Sequence, residues 1–134
     1  VGGHGGLVHP PTMSSYTAVK AAVVAISESL RWELEPFGVD VSVICPSFFR
    51  TNLASSLNSS DPAASGFASK LIDRSERGAA EIAAEVMTGL DAGRFLILPD
   101  PEARKSYRGK RLLPAAYEKT MTEMGRKFAR ATRE

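Results

Sequence analysis

The sequence predicts an α/β protein with a parallel sheet, and three observations carry the prediction. An amphipathic run beginning near Ser14 is stopped by Pro36-Phe37-Gly38. A run dominated by β-branched residues, Val39 to Cys45, follows it directly. The same order returns later, where a helical pattern from Arg77 to about Leu90 passes through Asp91-Ala92-Gly93 into the short apolar run Arg94 to Pro99. Helix followed by strand is half of a crossover unit, and strands that alternate only weakly suit a sheet covered on both faces.

Residues 1 to 13 are rich in Gly and Pro. Gly2-Gly3-His4-Gly5-Gly6 follows no hydrophobic strand and matches neither Gly-x-Gly-x-x-Gly nor Gly-x-x-x-Gly-x-Gly, so a flexible loop is expected there. Pro10-Pro11 forces an extended path into the first helix, which Ser14 or Ser15 can cap. That helix is expected to reach Leu34 or Glu35, with Val19, Val23, Ile26 and Leu30 as an apolar stripe and Glu28, Arg31 and Glu35 facing out. Pro36 and Gly38 end it. Residues 52 to 75 are polar and small, a composition that fits a surface linker or a segment that moves. The second helix is marked by Ala80, Ile82, Ala83, Val86, Met87 and Leu90. Beyond Asp100 the pattern changes to a basic linker and a final helix from about Leu113 to Thr132, carrying Ala116, Met121, Met124 and Phe128. The division expected is therefore 1–100 for the α/β portion and 101–134 for linker and helix.

A chain of 134 residues is enough for one modest domain. The charged fraction is ordinary, no apolar stretch approaches the roughly 18 residues of a membrane span, and the first residues lack the basic flank and apolar core of a secretory signal. The composition fits a soluble, cytoplasmic protein. The single cysteine, Cys45, cannot form an internal disulfide and ends a predicted buried strand, so a small core residue is expected rather than a nucleophile. His4 and His9 without convergent carboxylates or thiolates make no metal site. Net charge is only +2, with Arg104, Lys105, Arg108, Lys110 and Arg111 crowding one stretch. That cluster reads as a solvated surface, since no aromatic stacking pattern accompanies it to suggest nucleic acid.

The chemistry lies in Ser14-Ser15-Tyr16-Thr17-Ala18-Val19-Lys20. Residues four apart on a helix share a face, with Cβ atoms about 5 to 6 Å apart. A free phenol, with a pKa of roughly 10, is a poor acid or base at neutral pH, and a nearby cation favours its phenolate. Tyr16 and Lys20 thus read as a tuned acid/base couple, the alternative being an exposed tyrosine beside an unrelated lysine.

With the strand Val39 to Cys45 and the loop Pro46-Ser47-Phe48-Phe49-Arg50-Thr51, this order resembles the short-chain dehydrogenase/reductase family, whose members carry a Tyr-x-x-x-Lys helix, a buried parallel strand and a loop written Pro-Gly-x-x-x-Thr. Residues 5–53 carry the resemblance. It implies the carboxyl-terminal portion of a Rossmann-like, doubly wound parallel sheet with a carboxyl-terminal helical extension. It also implies an NAD or NADP cofactor, a small carbonyl or alcohol substrate, and association of subunits through the Tyr16-Lys20 helix. Tyr16 would exchange a proton with the substrate oxygen. Lys20 would lower the phenol's pKa and hold the ribose hydroxyls. Pro46 would shape the wall near the nicotinamide, and Thr51 would bond its carboxamide or the neighbouring phosphate.

Two departures stand out. Ser47 occupies the position of the family's Gly, where a Cβ restricts backbone torsion. The family's substrate-holding Ser, about thirteen residues before the Tyr, falls on Gly3, and His4 would be the nearest substitute donor. The resemblance also implies nucleotide-binding elements that these residues do not contain, so the chain alone is expected to be an incomplete, inactive fragment. The alternative is a non-catalytic interaction module that associates with an intact relative. Leu7, Val8, Met13, Phe48 and Phe49 fall in loops that the resemblance places near the pocket and favour an apolar substrate, although Phe48 and Phe49 are equally suited to a core.

Overall fold

A computed structural model describes residues 1–47 and 78–131. The first helix, α1, is Ser14–Leu34, as the pattern predicts. Its cap differs from expectation. Met13 is the N-cap residue with no side-chain bond, and Ser14 is already helical. Thr12, at φ 70°, makes the turn that aims the chain into α1. A short 3-10 turn, Glu35–Phe37, closes the helix, and Gly38 adopts the left-handed conformation at φ 68°.

The sheet is much shorter than the sequence predicts. The strand β1 is Val43–Ile44 and β2 is Leu96–Ile97, paired in parallel with Val43 opposite Leu96 and Ile44 opposite Ile97. The ladder ends where partners end: the Val43 and Cys45 N–H groups donate to Phe95 and Ile97, whereas Val39, at the start of the expected strand, is 47% exposed. The opposite edge of β1 is used by the amino-terminal segment. Gly2 and Gly3 donate to the Ile44 carbonyl at 2.9 and 3.2 Å, and His4 donates to Pro46 at 2.8 Å.

The glycine-rich segment is therefore not the flexible loop expected of it. It runs beside β1, and His4–Gly6 form a 3-10 turn packed under α1. A Cβ on Gly6 would lie 2.7 Å from the Lys20 carbonyl oxygen and 2.8 Å from Val24, and one on Gly2 would lie 2.9 Å from Val24. Close approach of helix to backbone is what requires glycine. This contact uses the Lys20 and Val24 side of α1. The predicted stripe is open instead, with Val19 and Ile26 about 60% exposed and no residue of α1 fully buried. Leu7, Val8, Val43 and Cys45 form the core, with Val24, Phe95, Tyr107 and Tyr117 among the residues packed against it.

The second helix, α2, is Ala79–Asp91; Gly78 precedes it, with its N–H held by the Glu81 carboxylate at 3.1 Å, and Gly93 at φ 63° turns the chain into β2. Residues 101–112 are a helix, not the basic linker expected. This α3, Pro101–Leu112, starts at a built cap: Asp100 accepts from the Ala103 N–H at 2.7 Å, Pro101 stands in the first turn, and Glu102 faces the positive end of the helix dipole. After a one-residue break at Leu113, α4 runs from Pro114 to Ala131. Among the described residues no helix is long and apolar enough to cross a membrane.

Candidate active site

The amino-terminal turn of α1 places Tyr16 and Lys20 on one side, above the glycine turn. The Lys20 ammonium lies 5.8 Å from the centroid of the Tyr16 ring. A Cβ on Gly5 would fall 2.5 Å from Tyr16 Cε1, and one on Gly3 would fall 3.1 Å from the phenol oxygen and 3.8 Å from the Lys20 stem. Gly3 and Gly5 are thus the seat of the ring, and Gly3 is further fixed by φ 64°. The face-sharing that the spacing predicts is present.

The electrostatics run opposite to expectation. Burial pushes the Tyr16 phenol above its ordinary value, with a smaller contribution in the same direction from the Cys45 thiol. Burial prevails although the Lys20 ammonium lies 5.8 Å from the ring centroid, from where it also reaches toward the Val1 carbonyl at 3.5 Å. The half-exposed phenol is held neutral. Cys45 is fully buried, and burial raises its thiol to about 11, which rules out a thiolate nucleophile at neutral pH and agrees with a core role.

The loop after β1 supplies Pro46 and Ser47. Pro46 accepts from the His4 N–H, which ties it to the glycine turn. Ser47 donates its backbone N–H to Asp100 Oδ2 at 2.8 Å and its hydroxyl to Asp100 Oδ1 at 2.6 Å. Asp100 is 6% exposed and also caps α3, so three donors converge on one carboxylate. Thr51, Phe48 and Phe49 lie outside the described residues, as does the polar segment 52–75.

His4 stands at the junction of these parts. Its Nδ1 is buried and has no hydrogen-bond partner among the described residues. Burial lowers its pKa, opposed by the nearby Asp100 and Glu102 carboxylates, so the ring is neutral at pH 7. His9 is exposed but engaged. Its backbone N–H donates to the Tyr117 hydroxyl at 2.9 Å, and Lys110 Nζ lies 3.1 Å from its Nδ1 and 2.8 Å from the Leu7 carbonyl oxygen. The basic cluster is only partly solvated: Arg104 donates to the Leu98 carbonyl, and Arg111 donates to the Tyr107 hydroxyl.

The short chain dehydrogenase family model matches residues 1–62. The chain is 37% identical over 62 residues to the oxidoreductase UcpA of Escherichia coli K12, covering 43% of this chain. It is 26% identical over 123 residues to the dehydrogenase/reductase SDR family member 7B of Bos taurus, covering 91% of this chain and 38% of that one. In structure it matches a short-chain dehydrogenase/reductase from Burkholderia phymatum, solved in complex with NAD, with a TM-score of 0.69 and 27% identity over 81% of this chain.

The likeness to the short-chain dehydrogenase/reductase family is carried by residues 1–62, a little under half of the chain, and by relatives and a solved structure of that family. The chain spans about a quarter (24%) of UcpA and 44% of the Burkholderia chain. The fold is a partial Rossmann-like α/β arrangement, in keeping with that likeness. Of the site residues read from sequence, the structure brings Tyr16 and Lys20 together and ties Pro46 to the glycine turn beneath them. Sequence reasoning missed Asp100. Its only local signal was the Asp-Pro-Glu helix start, which says nothing of Ser47, 53 positions away.

Proposed function

We propose that these residues are the proton-transfer half of an NAD(P)-dependent oxidoreductase that interconverts a carbonyl and an alcohol, with Tyr16 as the acid/base. The supporting observation is the seating of Tyr16 and Lys20 on one side of α1 over the Gly3 and Gly5 backbone. The Lys20 ammonium beside the Tyr16 ring is compatible with a cofactor ribose. Ser47 is less so, because its N–H is already given to Asp100. Lys20 would hold the ribose hydroxyls, Pro46 and Ser47 would border the nicotinamide, and Thr51 would bond its carboxamide or phosphate. The cofactor, when bound, supplies or accepts the hydride.

This chain supplies the proton. A neutral phenol carries the proton that a carbonyl oxygen needs as it becomes an alkoxide, a far stronger base than phenolate, so the raised Tyr16 favours the reduction direction. In the opposite direction Tyr16 would have to lose its proton first. With glycine at position 3, the second donor to the substrate oxygen is missing. Loss of such a donor costs on the order of 10² to 10³ in rate in other enzymes. The apolar loop residues favour an apolar ketone or alcohol. The reading assigns 1–100 to the α/β portion of a cytoplasmic enzyme, and these 134 residues by themselves to an inactive fragment that requires nucleotide-binding elements.

A second reading has its own support. Val19, Ile26 and Trp32 of α1 are each about 60% exposed, and Met87 of α2 is 56% exposed. An interaction module that pairs through α1 with an intact relative, or with its own copy, would cover that surface. Titration with NADH and NADPH, followed by fluorescence, separates the two once the nucleotide-binding elements are supplied in cis or in trans. The catalytic reading expects binding that is weakened at least tenfold by Lys20→Met and retained in Tyr16→Phe. No binding of either dinucleotide, together with a dimer that Ile26→Glu dissociates, would replace it with the module.

A further inference from the structure

Helices α3 and α4 enclose a groove of about 780 Å³ that reaches Val8 of the core. Its two walls differ in chemistry. From α3 it is lined by Arg104, Lys105 and Arg108, with Leu112 on the same wall, while α4 contributes chiefly Ala116, Tyr117 and Met121. Adjacent helices ordinarily meet apolar face to apolar face, and a cationic wall opposite an apolar one is unusual. Arg104 is engaged by the Leu98 carbonyl, but among the described residues Lys105 and Arg108 have neither an ion-pair nor a hydrogen-bond partner. Glu102 is the one carboxylate in the lining.

Gly109 adds a second, independent observation. It lies inside α3 on the groove wall, where a Cβ would meet nothing within 4 Å. Glycine is among the poorest helix formers. Here no packing contact calls for it, and its effect is to leave the groove wide at its middle.

We propose that this groove binds a single-chain anionic amphiphile, a long-chain carboxylate taken up as a monomer. The alkyl chain lies along Ala116 and Met121 toward Val8, and the carboxylate is held by Lys105 and Arg108. A compact polar anion would leave the apolar wall uncovered, and an uncharged hydrocarbon would leave the two cations unpaired. A flat anionic membrane surface would meet the cations without reaching Val8, which is 5% exposed. The proposal is independent of the oxidoreductase reading and requires no dinucleotide.

The test is calorimetric titration of the whole chain with decanoate and decanol in 0.1 M salt, beside a pelleting assay on phosphatidylglycerol vesicles. Decanoate should bind at least tenfold more tightly than decanol. Gly109→Leu, which fills the groove with a better helix former, should weaken decanoate at least tenfold with an unchanged circular dichroism spectrum. The exposed pair Lys105→Glu with Arg108→Glu should abolish the preference for decanoate over decanol even if the glycine variant fails to fold. Equal affinity for the two ligands, indifference to the charge reversals, or binding to vesicles without binding of monomeric decanoate would each overturn the proposal.

Discussion

Ser47 and Asp100 are joined by two hydrogen bonds, backbone N–H to Oδ2 and hydroxyl to Oδ1, across 53 positions of sequence. The same carboxylate caps α3 through the Ala103 N–H. The residue that departs from the family's Pro-Gly pattern therefore fastens the loop after β1 to the start of the carboxyl-terminal helices. Ser47→Ala should cost about 1.5 kcal/mol, the low end for a bond to a charged group, because Ser47 is only partly buried. Asp100→Ala should cost about 3 kcal/mol, since it also removes the cap and leaves buried donors without an acceptor. In urea denaturation the double variant should cost at least about 1 kcal/mol less than the sum of the two. Strict additivity would show that the loop and the helix are not coupled here.

That contact also marks where the sequence stops being informative. Tyr16 and Lys20 were legible because a helix converts a spacing of four into a shared face, a local rule needing no partner. Helix α1 and the left-handed turn at Gly38 were legible for the same reason. The length of β1 was not, because a strand ends where its neighbours end, and the β-branched residues continue past that point. Helix α3 carried a readable start in Asp100-Pro101-Glu102, yet its crowd of cations read as a linker. Long basic side chains can lie along a helix by their alkyl stems, so charge density alone does not exclude one. The phenol's direction of shift was missed because it depends on how deeply the ring is seated, which no spacing encodes.

The glycine turn makes a paired prediction. Gly6→Ala places a methyl 2.7 Å from a backbone oxygen of α1, which cannot rotate away as a side chain could. Helix α1 must shift, at a cost of about 1 to 3 kcal/mol as for other overpacked sites. Gly109→Ala meets nothing and should stabilise by about 0.5 to 1 kcal/mol. Thermal unfolding of both variants checks the contrast. A neutral Gly6→Ala would mean that α1 does not bear on the turn, and Tyr16 would lose its seat.

Restoring the family's hydroxyl at position 3 should fail as a simple repair. Gly3 has φ 64°, where a side chain costs on the order of 1 to 2 kcal/mol. The new Cβ would also stand 3.1 Å from the Tyr16 oxygen. Gly3→Ser is expected to lower the melting temperature and to perturb the tyrosine absorbance of Tyr16. An unchanged melting temperature would show that the turn relaxes to accept serine.

Alkaline stability should report on Cys45. Its thiol titrates near 9 when unfolded and at about 11 when folded, because the folded site is closed to water. A folded-state value above the unfolded one gives stability that is whole below pH 9 and is lost as pH rises toward 11. Two units correspond to roughly 2 to 3 kcal/mol. Guanidinium denaturation at pH 7.5 and 10.5 should show the parent chain losing about that much more than Cys45→Ala. Equal losses would place the thiol in contact with solvent.

The last prediction concerns the clamp on the loop before α1. Lys110 holds the Leu7 carbonyl and stands 3.1 Å from His9 Nδ1. Burial and then the Lys110 charge lower the His9 pKa, and a hydrogen bond to the Gly6 backbone opposes them. A histidine with a depressed folded value contributes stability above its unfolded pKa of about 6.5 and loses it as pH falls through the folded one. Lys110→Gln removes the second cause but not the first. The His9 titration, followed through its ring proton by NMR, should move up toward 6.5 without reaching it. The His4 curve should stay in place, since its shift comes from its own burial, Asp100 and Glu102. If His9 does not move, the ammonium is not at the ring in solution, and α3 does not hold the loop that leads to Tyr16.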